Sequence, residues 1–510
     1  MDPTQSTTRT QTLESVTGVH LMQGIGHKPA KGFWGEAWSQ VVRRPGAMLG
    51  LAWISVISFF ACFAPVIASG HPIVWRDKTG AETVTSYPLF EYLTAVDLLL
   101  IVFAIVGPLW ELIQLRASPG KRLGMLIAAG FQAAVIASLA MYLQSRITHG
   151  TAPGWVLDMW LNVKAPKENP NGPRELLILL SSLSIAGAVS LLWMFIPFTK
   201  HWWTRVPFVL LVGAVSFACI SAKWTPKLES WPYHKFEASG KFEGTYTLVP
   251  WSPLQGDTAF NRKAPGESPA SMLPEDRVYK TVDRPYVLGT DADGRDVLSQ
   301  MLHACRLSIS IGLVSTSIAV VIGVTIGALM GYFGGWVDMV LYRVVEIFMS
   351  FPVLLLLIIA AGVLPRNTYV MMAIIGCFSW MTAARFIRAE FFKLRDQDFV
   401  QSARAVGLPL RSVLFKHMLP NGITPVLVDA SFLIAAAINI EAIISYLGLG
   451  PGDRPSWGHL LSAATGQTGE FIWWLATFPG LAIFLTVLSY NLIGEALRDA
   501  IDPKLKKARV

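Results

Sequence analysis

Charge is what this sequence has little of. Asp, Glu, Lys and Arg make up 15% of its 510 residues, against about a quarter in a soluble domain. A mean hydropathy of +0.47 and a 53% hydrophobic share place the chain in the membrane class before any motif is read. It also lacks the signatures of chemistry. No G-x-x-x-x-G-K-[ST] loop is present to cradle nucleotide phosphates. H-E-x-x-H and G-x-S-x-G are both missing, and the few histidines fall in loops, which argues against a membrane-embedded hydrolase. The four cysteines, Cys62, Cys219, Cys305 and Cys377, form no C-x-x-C pair and no Cys/His ligand set. Neither zinc nor a disulfide framework is indicated, no metal site is expected, and these residues read as small packing groups. The net charge of +8 comes without a compact basic and aromatic face, so nucleic acid is not the expected partner.

What the chain has is long apolar runs. A helix needs about twenty apolar residues to cross the hydrocarbon core. Five such runs occupy the first half: Ala47 to Ile67, Val96 to Leu115, Leu123 to Leu143, Leu176 to Phe198 and Val206 to Ala222. A polar stretch rich in Pro, Trp and charge follows, from Lys223 to about Gln300. Five more come after it: Leu307 to Phe333, Met339 to Ala361, Tyr369 to Phe386, Val426 to Leu449 and Phe471 to Ile493. The expected fold class is therefore an all-α polytopic membrane protein with about ten transmembrane helices. The polar first forty-odd residues argue against a cleaved signal peptide.

Basic residues give the orientation, because Lys and Arg concentrate in cytoplasmic loops. Arg43 and Arg44 precede the first span, so the N-terminus is expected inside. Counting onward, Arg116/Lys121/Arg122, Lys200/Arg205, the connection Arg388 to Lys416 and the tail Arg498 to Arg509 also fall inside. Lys223 to Gln300 and Pro451 to Gly469 then lie outside, and both termini are cytoplasmic. A lone Arg366 outside is the exception. Trp202, Trp203, Trp473 and Trp474 read as interfacial anchors.

The connection after the eighth span is the most informative stretch. From Arg388 to Asn421 it implies two short amphipathic helices broken at Gly407 to Pro409. Gly407 permits a left-handed turn, and Ala403 and Ala405 would let another surface approach closely. Pro420 and Pro425 begin the next span, where a helix start tolerates proline. Taken alone, the segment is equally compatible with an ordinary interfacial helix.

This segment resembles the cytoplasmic coupling loop of binding-protein-dependent ABC importer permeases. That family's pattern is Glu-Ala-Ala, three residues, Gly, nine residues, Ile, one residue, Leu-Pro. Here Gln401, Ser402 and Ala403 stand at the Glu-Ala-Ala positions, followed by Arg404, and Gly407 matches the glycine. His417 replaces Ile, and Leu419-Pro420 fall at the required distance. His-x-Leu-Pro-Asn is common in the peptide branch of the family. Leu288-Gly289-Thr290-Asp291-Ala-Asp-Gly294-Arg295-Asp296, before the sixth span, is similar to a segment of the C-type subunit of oligopeptide and dipeptide importers. Gly331 to Asp338, Glu441 to Gly450, Pro455 to Gly458 and Ile493 to Pro503 fit the same subunit. The wording Arg388-Ala-Glu-Phe and His417-Met-Leu-Pro-Asn resembles the microcin-C type. The first span, ending in Phe63-Ala-Pro-Val-Ile-Ala68, resembles the family's first span.

The resemblance implies a type I permease core with an inserted four-helix region. The expected layout is a disordered cytoplasmic tail (1–30), a first span (31–70), the insertion (71–222), an extracytoplasmic segment (223–300), the core (301–500) with its coupling loop (388–420), and a tail (501–510). Four inserted spans is an even number, so the core keeps its orientation. The implied partners are a second, B-type permease subunit, two cytoplasmic ATPase subunits carrying ATP and magnesium, and an external solute-binding protein. No cofactor is expected in this chain. The implied solutes are peptides, nickel chelates, glutathione or opines. A membrane scaffold or a membrane-embedded enzyme is the competing class.

Ionisable residues in apolar runs are functional candidates because burial is costly. Glu346, Asp429 and Glu441 qualify as pore or structural residues. Asp97 and Glu111 flank an inserted span and read as interfacial. Asp291 to Asp296 superficially suggests a calcium loop, but Gly294 is fourth and Leu302 twelfth, where an EF-hand needs Gly sixth and Glu twelfth. A turn and helix cap is the plainer reading of those residues.

Overall fold

The computed structural model describes residues 33–79, 83–112, 124–132, 135, 186–188, 190–191, 193, 205–221, 233–237, 241–268 and 284–501, apart from 453 and 466–469. The expected tails at 1–30 and 502–510, most of Leu123 to Leu143 and of Leu176 to Phe198, and Trp202 and Trp203 lie outside these residues.

The chain enters through a short helix, α1 (Phe33–Val41), and turns at Arg44 into the first long apolar helix, α2 (Pro45–Ile67), with proline in its first turn. That placement costs nothing, because the first-turn amides have no partner inside the helix. Two apolar helices of the inserted region follow, α3 (Ala95–Leu112) and α4 (Val206–Ser221). They share a small core of their own, in which Met125, Ala129, Phe208, Leu211 and Val215 pack against Leu99 and Phe103.

The core proper begins with α5 (Val297–Phe333), a helix of 37 residues. At 1.5 Å per residue it is roughly 55 Å long, well beyond a 30 Å hydrocarbon layer. Its first turns therefore precede the apolar run that begins at Leu307. Next come α6 (Gly335–Ser350), α7 (Val353–Val363), α8 (Thr368–Phe378), α9 (Met381–Leu394) and the short α10 (Asp398–Ala405). The chain closes with α11 (Thr424–Tyr446), α12 (Trp457–Ala464) and α13 (Trp473–Ile501).

Four helices among the described residues are long and apolar enough to cross a membrane: α2, α5, α11 and α13. The runs Met339 to Ala361 and Tyr369 to Phe386 were expected as single spans, and each is instead a broken pair. The α6/α7 pair bends by 80° and the α8/α9 pair by 42°, which raises the number to six if each pair is one span. Pro352 explains the sharper break. It forces the residue before it out of the helical region, and Phe351 is extended at φ −92°, ψ 139°.

Glycine brings two of the long helices into close contact. Gly323, Gly327 and Gly331 recur every fourth residue and form one stripe along α5. A Cβ on Gly327 would stand 2.4 Å from the Ala384 carbonyl oxygen, and one on Gly331 would stand 2.5 Å from the Phe391 Cβ. Small residues at this spacing let α5 and α9 approach backbone to backbone, where lipid offers no hydrophobic drive to hold them together.

The mostly helical expectation holds, with one addition. A three-stranded antiparallel sheet joins β1 (Val74–Asp77), β2 (Val84–Ser86) and β3 (Phe242–Thr245) in the order β2-β1-β3. Trp75 pairs with Ser86 on one side and Gly244 on the other. Strands of three or four residues are too short to show a period of two. Aromatic rings fill in around the sheet: Trp75 stacks on Phe242 at 5.4 Å, and Trp251 on Tyr286 at 4.6 Å.

Candidate functional site

The connection between α9 and α11 stands at one end of the core, on a hydrophobic base. Val400 and Ala403 of α10, with Val413, Leu414 and Met418, are buried against Val324, Ala328, Ile387 and Phe391 of the long helices. Ala403 was expected to face another surface. It is 7% exposed and packs into this chain's own core, whereas Ala405 is exposed. Arg404 lays its guanidinium over the Tyr332 ring at 4.5 Å and so ties α10 to the end of α5.

Gly407 ends α10 in a Schellman turn. The Leu408 amide donates to the Ala403 carbonyl at 3.2 Å and the Gly407 amide to the Arg404 carbonyl at 2.9 Å. This turn puts Gly407 at φ +78°, as expected of a glycine between two helices. A Cβ there would meet nothing within 4 Å, so within this chain the constraint is conformational rather than steric. Val406, 79% exposed, Leu408 and Leu410 project beyond the turn. Gln401, Ser402 and Pro420 are exposed, while His417 and Leu419 are half-buried. The His417 carbonyl accepts a bond from the Asn421 amide at 2.8 Å. After Pro409 the chain makes a helical turn and a wide π turn over Val413–Met418 before entering α11.

At the opposite end, the segment from Gly289 to Asp296 is a built loop. The Asp291 carboxylate accepts from the Asp293 and Arg295 amides at 2.9 and 2.8 Å and from the Gln300 side chain at 2.9 Å. Those bonds leave it as a turn former rather than a cation ligand. Asp296 caps α5 by accepting from the Ser299 amide at 2.7 Å, and burial pushes its carboxyl up to about 7. Thr290 donates to the Phe260 carbonyl and accepts from the Lys263 amide. Gly289 and Gly294 sit at φ +80° and +74°, and a Cβ on Gly294 would stand 1.9 Å from the Asp257 carbonyl oxygen. Arg295 pairs with Asp293 at 3.0 Å.

Trp474 corrects its reading as an interfacial anchor. It is 9% exposed and donates to the Thr290 carbonyl at 3.0 Å, holding α13 to this loop. Its neighbour Trp473 is half exposed.

The three ionisable candidates separate. Glu441 is fully buried in α11, where it accepts from the Ser445 hydroxyl at 2.7 Å and faces Ser456, a tie between helices. Asp429 is half-buried with Arg385 nearby. Glu346 pairs with Arg343, one helical turn away, on the outer face of α6. They do not converge on one point.

Asp97 is the larger correction. It was expected at an interface, yet it is 7% exposed and makes a buried ion pair with Arg306 of α5. The Thr94 amide donates to the same carboxylate at 2.8 Å. The missed signal was Arg306 itself, a cation just before an apolar run with no nearby partner in sequence. The side chain of Glu111 lies outside the description.

Residues 323–507 match the family described as the inner membrane component of binding-protein-dependent transport systems. Residues 32–79 match the N-terminal membrane domain of oligopeptide transport permease C. The oligopeptide transport permease protein OppC of Haemophilus influenzae is 37% identical over 225 residues, 44% of this chain and 72% of that protein. The chain belongs to this permease family.

The glutathione transport permease GsiD of Pectobacterium atrosepticum is 36% identical over 45% of this permease and 77% of its own length. The peptidoglycan transport permease YejE of Agrobacterium fabrum is 38% identical over 42% of this permease and 57% of its own. A solved inward-facing methionine ABC transporter, MetNI, aligns at 16% identity over 40% of this permease and 97% of that chain. Its TM-score is 0.32. This permease is a non-catalytic, multi-pass inner-membrane subunit of an ABC importer.

Proposed function

We propose that this permease forms half of a pore for peptides, and that Gln401 to Pro420 is its contact with an ATP-hydrolysing partner. The observation that carries the reading is the exposed Val406–Leu410 turn, fixed on a buried base and turned away from the rest of the chain. An apolar turn on a rigid base is what a coupling element requires, since a push on it moves α5, α9 and α11 together. The second permease half, a pair of ATPases holding ATP and magnesium, and an external binding protein complete the proposed assembly. The 388–420 end and both termini would face the cytoplasm, in line with the clustering of Arg and Lys there. Peptides are the favoured solute because two of the relatives named above carry oligopeptide or peptidoglycan transport in their names.

Crosslinking tests this. In a cysteine-free background, Val406→Cys should crosslink to the ATPase subunit of the assembled complex, and Val84→Cys, exposed at the other end, should not. Crosslinking from Val84, or none from Val406, would remove the coupling assignment.

A further inference from the structure

The outer end of the core holds a cavity of about 210 Å³. Arg295, Arg366, Arg454 and His459 line it, with Gln300 and Ser445 deep in its wall. Among the described residues that line it, none is Asp or Glu. Arg295 is partly neutralised by Asp293, but Arg366 is exposed and makes no ion pair among the described residues. With Arg295 and Arg454, Arg366 is one of three arginines gathered at this end, where the charge rule for orientation does not call for them.

The backbone adds to the positive field. Helices α5, α8 and α12 all begin at this cavity, next to Arg295, Arg366 and His459 respectively, and helix N-termini favour negative charge. Two C-termini oppose this field, that of α11 beside Ser445 and that of α7, which ends at Val363 just before Arg366. One wall is tightly packed: a Cβ on Gly450 would stand 2.3 Å from the Ser445 hydroxyl oxygen. A cavity of about 210 Å³ with arginines around it takes a small anion rather than a protein loop. Guanidinium groups match a carboxylate in shape as well as charge.

We propose that this cavity is an anion site that takes the terminal carboxylate of the solute as it enters the pore. The assignment rests on the peptide-pore reading above, and the two can fail separately. The test uses the complete transporter in nanodiscs without binding protein, titrated with N-acetyl-trialanine and with its C-terminal amide. The free acid should bind about tenfold tighter than the amide, the worth of one lost charge-assisted hydrogen bond. Arg366→Gln and Arg454→Gln should erase that difference while leaving the amide's affinity alone. Lys78→Gln, on the exposed sheet, should keep it. Equal affinity for acid and amide in the unaltered transporter, or an unchanged ratio in both arginine variants, overturns the proposal. Uptake of both compounds into vesicles, with binding protein and ATP added, is measured alongside. Acid-selective binding with no uptake of either compound would sink the peptide reading and leave the anion site standing.

Discussion

Two buried titratable side chains at the sheet end of the bundle pull stability in opposite directions with pH. Asp296 caps α5 from a buried position, and its carboxyl is pushed up to about 7. The folded protein then holds a proton that the unfolded chain gives up near pH 4. Stability falls as pH rises from about 4 to about 7, and levels off above that. Asn caps a helix as well as Asp does, without the charge. Asp296→Asn should therefore melt like the parent at pH 4.5 and several degrees higher at pH 8, read by a thermal melt in detergent. A constant offset at both pH values would contradict the assignment. His234 works the other way. Its Nε2 donates to the Pro250 carbonyl at 2.9 Å, and burial pushes its pKa down to about 4. The unfolded chain takes up that proton near 6.5, so stability is lost as pH falls from about 6.5 to about 4. His234→Phe should flatten that acid limb, whatever it does to the melting point at neutral pH.

At the scale of elements, α5 against α9 and the α10 turn carry separate expectations. Gly327→Ala places a methyl 2.4 Å from a backbone oxygen and should cost about 1–3 kcal/mol through overpacking. Gly362→Ala, in α7 with nothing within 4 Å, should be neutral or slightly stabilising. A melt showing the two alike would undo the account of the helix contact. Gly407→Val forces a β-branched residue into φ +78°, a strain of about 1–3 kcal/mol. It should weaken capture of the ATPase subunits about tenfold or more while the protein still inserts, and Ser402→Ala should be nearly silent.

Much of this was legible in the sequence. The apolar runs marked the long helices, and Gly407 marked the turn that ends α10, because helix length and glycine breaks are local properties. The breaks at Phe351 and at Ser379–Trp380 were not seen, since an apolar run hides the angle between its halves. The sheet and the Asp97–Arg306 pair were not seen either. The β1–β3 pairing and the ion pair each join residues more than 150 positions apart, and strands of three or four residues leave no period to read.

For the whole molecule, the polarity of the bundle follows from what gathers at each end. Arg44 and Asp499 pair at 2.5 Å near the 395–420 connection's end, and the sheet, the 284–296 loop and Arg366 occupy the other. In sealed cells, a cysteine at Glu267 should react with an impermeant thiol reagent and one at Lys506 should not. The reverse pattern would invert the molecule. On the proposed reading, this permease couples ATP hydrolysis on partner subunits to solute entry. Its most direct measurement is uptake of a labelled tripeptide into proteoliposomes holding the full complex. Binding protein is supplied on the sheet side and ATP on the Gly407 side. Uptake should require ATP, require this chain, and fall to background with Gly407→Val. Full-rate uptake without ATP, or uptake unchanged by Gly407→Val, would contradict it.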